Sequence, residues 1–117
     1  MATVQIYHNP RCSKSRETLA LLHSQGIEPE VVLYLQNPPD ITTLKNLLRQ
    51  AGFHSARELM RTKEEHYKAQ NLGDKTLSEE QLLAAMADNP ALIERPIVVA
   101  NGKARLGRPP EQVLEIL

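Results

Sequence analysis

Apolar and polar positions alternate from Thr3 to His8, with Val4 and Ile6 on one side, and this period of two predicts a strand. Asn9-Pro10 interrupts it. From Ser13 to Gln25 the period lengthens: Leu19, Leu21 and Leu22 are the apolar positions of a helix, and Gly26 marks its stop. Glu30 to Leu35 is rich in β-branched residues and predicts a second strand, closed by the turn residues Asn37-Pro38-Pro39. Asp40 stands at an N-cap position before Ile41, Leu44, Leu47 and Leu48, whose helical spacing runs on to Gly52.

Two capping boxes follow. Ser55-Ala56-Arg57-Glu58 opens a short helix, and Ser78-Glu79-Glu80-Gln81 opens one that runs to about Ala87, where Asn89-Pro90 ends it. Between them, Glu64 to Ala69 reads as helix and Asn71 to Lys75 as loop. Ile97 to Ala100 and Lys103 to Leu106 are strands joined by Asn101-Gly102, a strong two-residue hairpin signal. Pro109-Pro110 starts a last helix through Leu117.

Strands separated by a helix pair in parallel, whereas a hairpin is antiparallel. The order βα, βα, helical insert, hairpin, α therefore predicts an α/β fold. It is a mixed four-stranded sheet flanked by helices, the layout of a thioredoxin-like fold with a helical insert before the C-terminal hairpin. A single domain over residues 1–117 is expected, without internal repeats or linkers.

Acids and bases balance at 14 each, which argues against a general nucleic-acid binder, since that needs a basic surplus. The aromatics are Tyr7, Tyr34, Phe53 and Tyr67, too few for a base-stacking platform. No apolar run approaches the roughly 20 residues that cross a bilayer. The N-terminus lacks a basic region followed by an apolar stretch, so a cytoplasmic location is expected.

The chain has one cysteine, Cys12. An intramolecular disulfide is impossible, and a structural zinc site lacks its cysteine pairs. Any redox chemistry at Cys12 must take its second thiol from another molecule. Cys12 lies where the first strand hands over to the first helix, in Tyr7-His8-Asn9-Pro10-Arg11-Cys12-Ser13-Lys14-Ser15-Arg16. A sulfur there meets free backbone N–H groups and the positive end of the helix dipole. Arg11, Lys14 and Arg16 add nearby positive charge, and a depressed thiol pKa is expected. The bland alternative is a buried, inert thiol, which a polar loop at a helix start disfavours.

Known cysteine motifs narrow the chemistry. Ser15 occupies the second position of a C-x-x-C motif, so that motif is incomplete and a single-thiol mechanism stays open. Thr18 stands where a phosphatase loop needs arginine. His8 can lie near Cys12 from the strand end, or simply pack there. His23, His54 and His66 read as surface or locally bonded residues.

His8-Asn9-Pro10-x-Cys12-x-x-Ser15-Arg16-x-Thr18-Leu19 resembles the opening signature of the ArsC family of glutaredoxin-linked arsenate reductases. Tyr34 to Pro39, Arg57 to Arg61, Ile93 to Val99 and Arg105 to Pro109 resemble further blocks of that family, in order and over nearly the whole chain. Ser13-Lys14 departs from it, standing where plasmid-type members have Gly-Thr.

The resemblance implies Cys12 as nucleophile and Arg61, Arg95 and Arg108 as ligands of the oxyanion. Pro96 then corresponds to the cis-proline facing the active cysteine, with His8 and Ser15 in support. The implied substrate is arsenate, the co-substrate glutathione and the protein partner glutaredoxin, with no bound cofactor or metal. The residue types suit this chemistry: arginine is a permanent planar cation that pairs with oxyanion oxygens, and it lets a thiolate approach an anion. Two other readings stay open. One is a transcriptional regulator like the Spx proteins, which contacts RNA polymerase. The other is a glutathione-dependent disulfide reductase.

Overall fold

The computed structural model describes residues 4–117, apart from the side chain of His66. Thr3, at the predicted start of the first strand, and that histidine side chain lie outside the described residues. The chain divides into a sheet unit, up to Asn37 and from Arg95 onward, and a helical unit, Pro38–Glu94.

The sheet unit holds strands β1 (Gln5–Tyr7), β2 (Glu30–Val32), β3 (Ile97–Ala100) and β4 (Lys103–Leu106) in the order β2-β1-β3-β4. β1 pairs in parallel with β2 and antiparallel with β3, and β3 pairs antiparallel with β4. Helix α1 (Ser13–Ser24) and a terminal 3₁₀ segment, Pro110–Ile116, complete the unit. Ile6, Leu22, Val98, Ala100, Val113 and Ile116 form its buried core. The Asn101-Gly102 turn has positive φ at both residues, 55° and 75°, the backbone that a two-residue hairpin of right-handed twist demands.

Two predicted elements are corrected. The second strand ends at Val32 rather than Leu35, because β1 leaves the sheet at Asn9-Pro10 and offers nothing further to pair with. The His8 amide donates to Val32 O at 2.9 Å, and the chain then turns, with the Gln36 and Asn37 amides both donating to Leu33 O. The last helix is 3₁₀ rather than α; Pro110 presets a helical φ that serves either form.

The helical unit contains α2 (Ile41–Ala51), α3 (Glu65–Ala69) and α4 (Glu79–Asp88), with 3₁₀ turns at Ala56–Leu59 and Pro90–Leu92. Asp40 caps α2 through the Thr43 amide at 2.8 Å, and both predicted capping boxes form, at Ser55 and Ser78. α4 packs on α2 and on the two 3₁₀ turns, burying Leu82, Leu83 and Met86. Arg57 donates to Leu72 O at 3.1 Å and to Asp74 O at 2.6 Å, pinning the loop that follows α3. No helix among the described residues is long and apolar enough to cross a membrane.

Candidate active site around Cys12

Cys12 is the N-cap of α1, with extended backbone, and its carbonyl accepts the first helical bond from the Arg16 amide at 3.0 Å. The loop before it is tightly wound. The Cys12 amide donates to Asn9 O at 3.0 Å, the Arg11 amide to Asn9 Oδ1 at 3.0 Å, and Arg16 Nη1 to Pro10 O at 2.9 Å. Asn9 therefore builds an Asx turn, and Arg16 closes it. The sequence marked Asn9-Pro10 as a strand break and Arg16 as nearby positive charge; the structure adds that both residues shape the turn.

Ser15 and His8 form the floor of the loop and are both buried. Ser15 Oγ accepts the Asn9 amide at 3.0 Å and lies 2.5 Å from His8 Nδ1. Burial, with the Arg16 charge behind it, lowers the His8 pKa and keeps the ring neutral at pH 7. His8 thus reaches the site through Ser15.

Half-buried Cys12 is subject to opposing influences. Burial pushes its thiol pKa up, but the Ser15 amide, Arg95, the Lys14 amide and Arg108 together outweigh this, and the thiol titrates below its ordinary value. The sulfur makes no cap hydrogen bond of strict geometry, yet it faces the amide ends of Lys14 and Ser15. The expected source of positive charge is corrected here. Lys14 turns to Glu17 at 3.5 Å and Arg16 to the Pro10 carbonyl, so residues distant in sequence supply the field. Arg108 Nη2 is 3.9 Å from Cys12 Sγ.

Arg95 and Arg108 flank the hairpin. Ile97 opposes Leu106, and extending that register places Pro96 beside Gly107 and Arg95 beside Arg108. The bonds agree: the Gly107 amide donates to Pro96 O at 2.9 Å, and Arg108 Nε donates to Arg95 O at 2.8 Å. The Arg95-Pro96 peptide is cis, as the resemblance implied, and so is Arg108-Pro109, which no motif had pointed to. Arg95 Nε and Nη1 are buried and have no hydrogen-bond partner among the described residues. A buried unpaired donor costs about 1–3 kcal/mol, so a pair of them on a cation marks a place for an anion.

Arg61 belongs to the helical unit, where it is engaged by carboxylates. Its Nη1 donates to Glu64 Oε2 at 3.0 Å, and its Nε lies 3.9 Å from Glu94 Oε1.

The sheet unit thus presents a thiol of lowered pKa, aimed amides and two arginines, one of them with donors that have no partner among the described residues. The model of the ArsC family matches residues 7–116. The chain belongs to the ArsC family. It is 70% identical to YfgD, an uncharacterized protein of Escherichia coli strain K12, over 97% of this chain and 96% of that one. An arsenate reductase of Haemophilus influenzae is 52% identical over 98% and 99% of the two chains. The solved arsenate reductase of Vibrio cholerae is 63% identical and superposes with a TM-score of 0.97, covering 98% of each chain. The mixed sheet is the thioredoxin-like α/β fold of these ArsC structures.

Proposed function

We propose that this protein reduces arsenate to arsenite with Cys12 as nucleophile and with glutathione and glutaredoxin as the external thiols. The observation that carries the reading is the pair of buried, unpaired N–H donors on Arg95, an arginine whose charge acts on the Cys12 thiolate. A thiolate beside vacant cationic donors is suited to attack on a bound oxyanion. The curated and solved relatives named arsenate reductase support the same substrate.

In the proposed sequence Arg95 and Arg108 bind arsenate oxygens, with Arg61 as a third ligand on the strength of its motif. The Cys12 thiolate attacks arsenic, an As–O bond breaks, and the protonated oxygen leaves as water. Glutathione adds its sulfur to arsenic with loss of a second water. A glutaredoxin thiol then attacks the glutathione sulfur, forming a mixed disulfide and leaving the electron pair on arsenic, which passes from As(V) to As(III). Water releases arsenite and returns the Cys12 thiol. The two electrons come from two external thiols, consistent with a chain that has a single cysteine. Cytoplasmic thiol pools suit this demand.

The test is a coupled assay with arsenate, glutathione, glutaredoxin, glutathione reductase and NADPH, run on wild type and Cys12→Ser. Arsenate-dependent NADPH consumption by wild type alone is the expected result. Its absence from folded protein, with every coupling component active, rejects the reading.

A further inference from the structure

We propose that Glu64 is a carboxylate latch on Arg61, occupying the donors an oxyanion needs and thereby setting how tightly the protein holds its substrate. The inference rests on the reading of Arg61 as an oxyanion ligand and assigns its control to a residue outside the motif blocks.

Arg61 and Arg95 differ in how their guanidinium groups are served. Arg95 keeps two buried donors without partners among the described residues. Arg61 has a carboxylate 3.0 Å from Nη1 and a second 3.9 Å from Nε. The Glu64 carboxylate thus occupies Nη1, a donor that an oxyanion oxygen would use.

The latch is built locally. The Glu64 amide donates to Arg61 O at 3.0 Å, a single turn that sets the Glu64 side chain over the arginine three residues earlier. Arg61 itself is anchored, its amide donating to Leu92 O at 2.7 Å beside the Met60–Ile93 bridge. Glu94 is anchored too, through its amide to Leu59 O at 2.8 Å. Little ordering remains for Glu64 to lose when it closes. The side chains of Arg61 and Glu64 are 31% and 22% exposed, so the pair is sheltered from full screening while one side stays open to solvent.

A carboxylate oxygen and an oxyanion oxygen use the same Nη1–H. Binding through that donor therefore requires Glu64 to let go, and the free energy of the ion pair is subtracted from the affinity. Glu64→Gln keeps the size of the side chain and removes the charge. A partly exposed pair of this kind corresponds to an expected gain of about two- to fivefold.

The experiment measures arsenate KM and kcat, and calorimetric Kd for inorganic phosphate at fixed ionic strength, for wild type, Glu64→Gln, Arg61→Ala and the double variant. The latch predicts a lower KM and a tighter phosphate Kd in Glu64→Gln, with the gain in KM rather than kcat and no gain in the Arg61→Ala background. Unchanged or weaker oxyanion affinity in Glu64→Gln overturns the proposal, as does a gain that persists without Arg61. Phosphate binding needs no turnover, so a gain in Kd without any arsenate reduction upholds the latch while rejecting the reductase reading. Phosphate binding to neither wild type nor Glu64→Gln, with arsenate KM unchanged or unmeasurable, overturns the latch.

Discussion

Ser15 Oγ sits 2.5 Å from His8 Nδ1 while accepting the Asn9 amide at 3.0 Å. With one lone pair taken by the amide, the hydroxyl keeps a proton and a second lone pair, so it can meet Nδ1 in either tautomer of His8. The bond joins the end of β1 to the first turn of α1, with Cys12 between them.

Ser15→Ala breaks that clasp. It leaves buried His8 Nδ1 without this partner, at a cost of about 1–3 kcal/mol, and takes the acceptor from the half-buried Asn9 amide. It also loosens the amide that favours the Cys12 thiolate. The expected outcome is a lower urea midpoint together with a Cys12 alkylation midpoint displaced to higher pH. An unchanged alkylation profile limits Ser15 to packing.

Cys12 itself should alkylate with a midpoint below the ordinary thiol value of about 8.5. A depressed pKa in the folded state means that ionisation stabilises the fold fully above about 8.5, and that this contribution is lost as pH falls through the lowered folded value. The stability difference between wild type and Cys12→Ser should therefore grow with pH across that interval. Iodoacetamide rates against pH locate the midpoint, and Arg108→Ala should move it upward. A midpoint near 8.5 in wild type contradicts the site geometry.

The His8 pKa is lowered, by burial first and Arg16 second. Its contribution to stability is then full above about 6.5 and shrinks as pH falls below that, because the unfolded chain takes up a proton sooner. Once the folded value is passed, the contribution is gone. His8→Asn places an amide near the Nδ1 position without a titratable ring. Denaturation midpoints between pH 5 and 8 should converge toward those of this variant on the acid side; parallel curves reject the assignment.

Arg95→Ala and Arg57→Ala should fail in different ways. Removing one donor to developing negative charge costs on the order of 10²–10³ in rate, so Arg95→Ala should lose arsenate turnover while keeping its melting temperature. Arg57 bonds the Leu72 and Asp74 carbonyls, and each charged hydrogen bond is worth about 1.5–3 kcal/mol. Arg57→Ala should melt earlier yet turn over normally per folded molecule. Equal kinetic losses in the two variants would remove Arg95 from the site.

Much of the fold is legible in local chemistry. Asn101-Gly102 needs positive φ, Ser55 and Ser78 each meet a partner three residues on, and Gly26 and Gly52 end helices; each device works over a few residues. The length of β2 was not legible, because its limit lies in β1, which departs at Asn9-Pro10. The cations around the thiolate were misread for a related reason. Lys14 and Arg16 adjoin Cys12 in sequence but turn away from it, whereas Arg95 and Arg108 arrive from the far end of the chain. Their mutual placement could have been found by counting outward from the hairpin turn.

That count gives the hairpin a second use as a measuring device. Arg95 and Arg108 face one another because equal numbers of residues separate each from the tip at Asn101-Gly102. A peptide tag spliced between those two tip residues lengthens the loop but leaves the count along each strand intact. One residue inserted within β3 or β4 advances a single arm, turns alternate side chains to the opposite face and separates the arginines. The facing of the two arginines is therefore indifferent to length added at the tip, yet it has no slack along the arms.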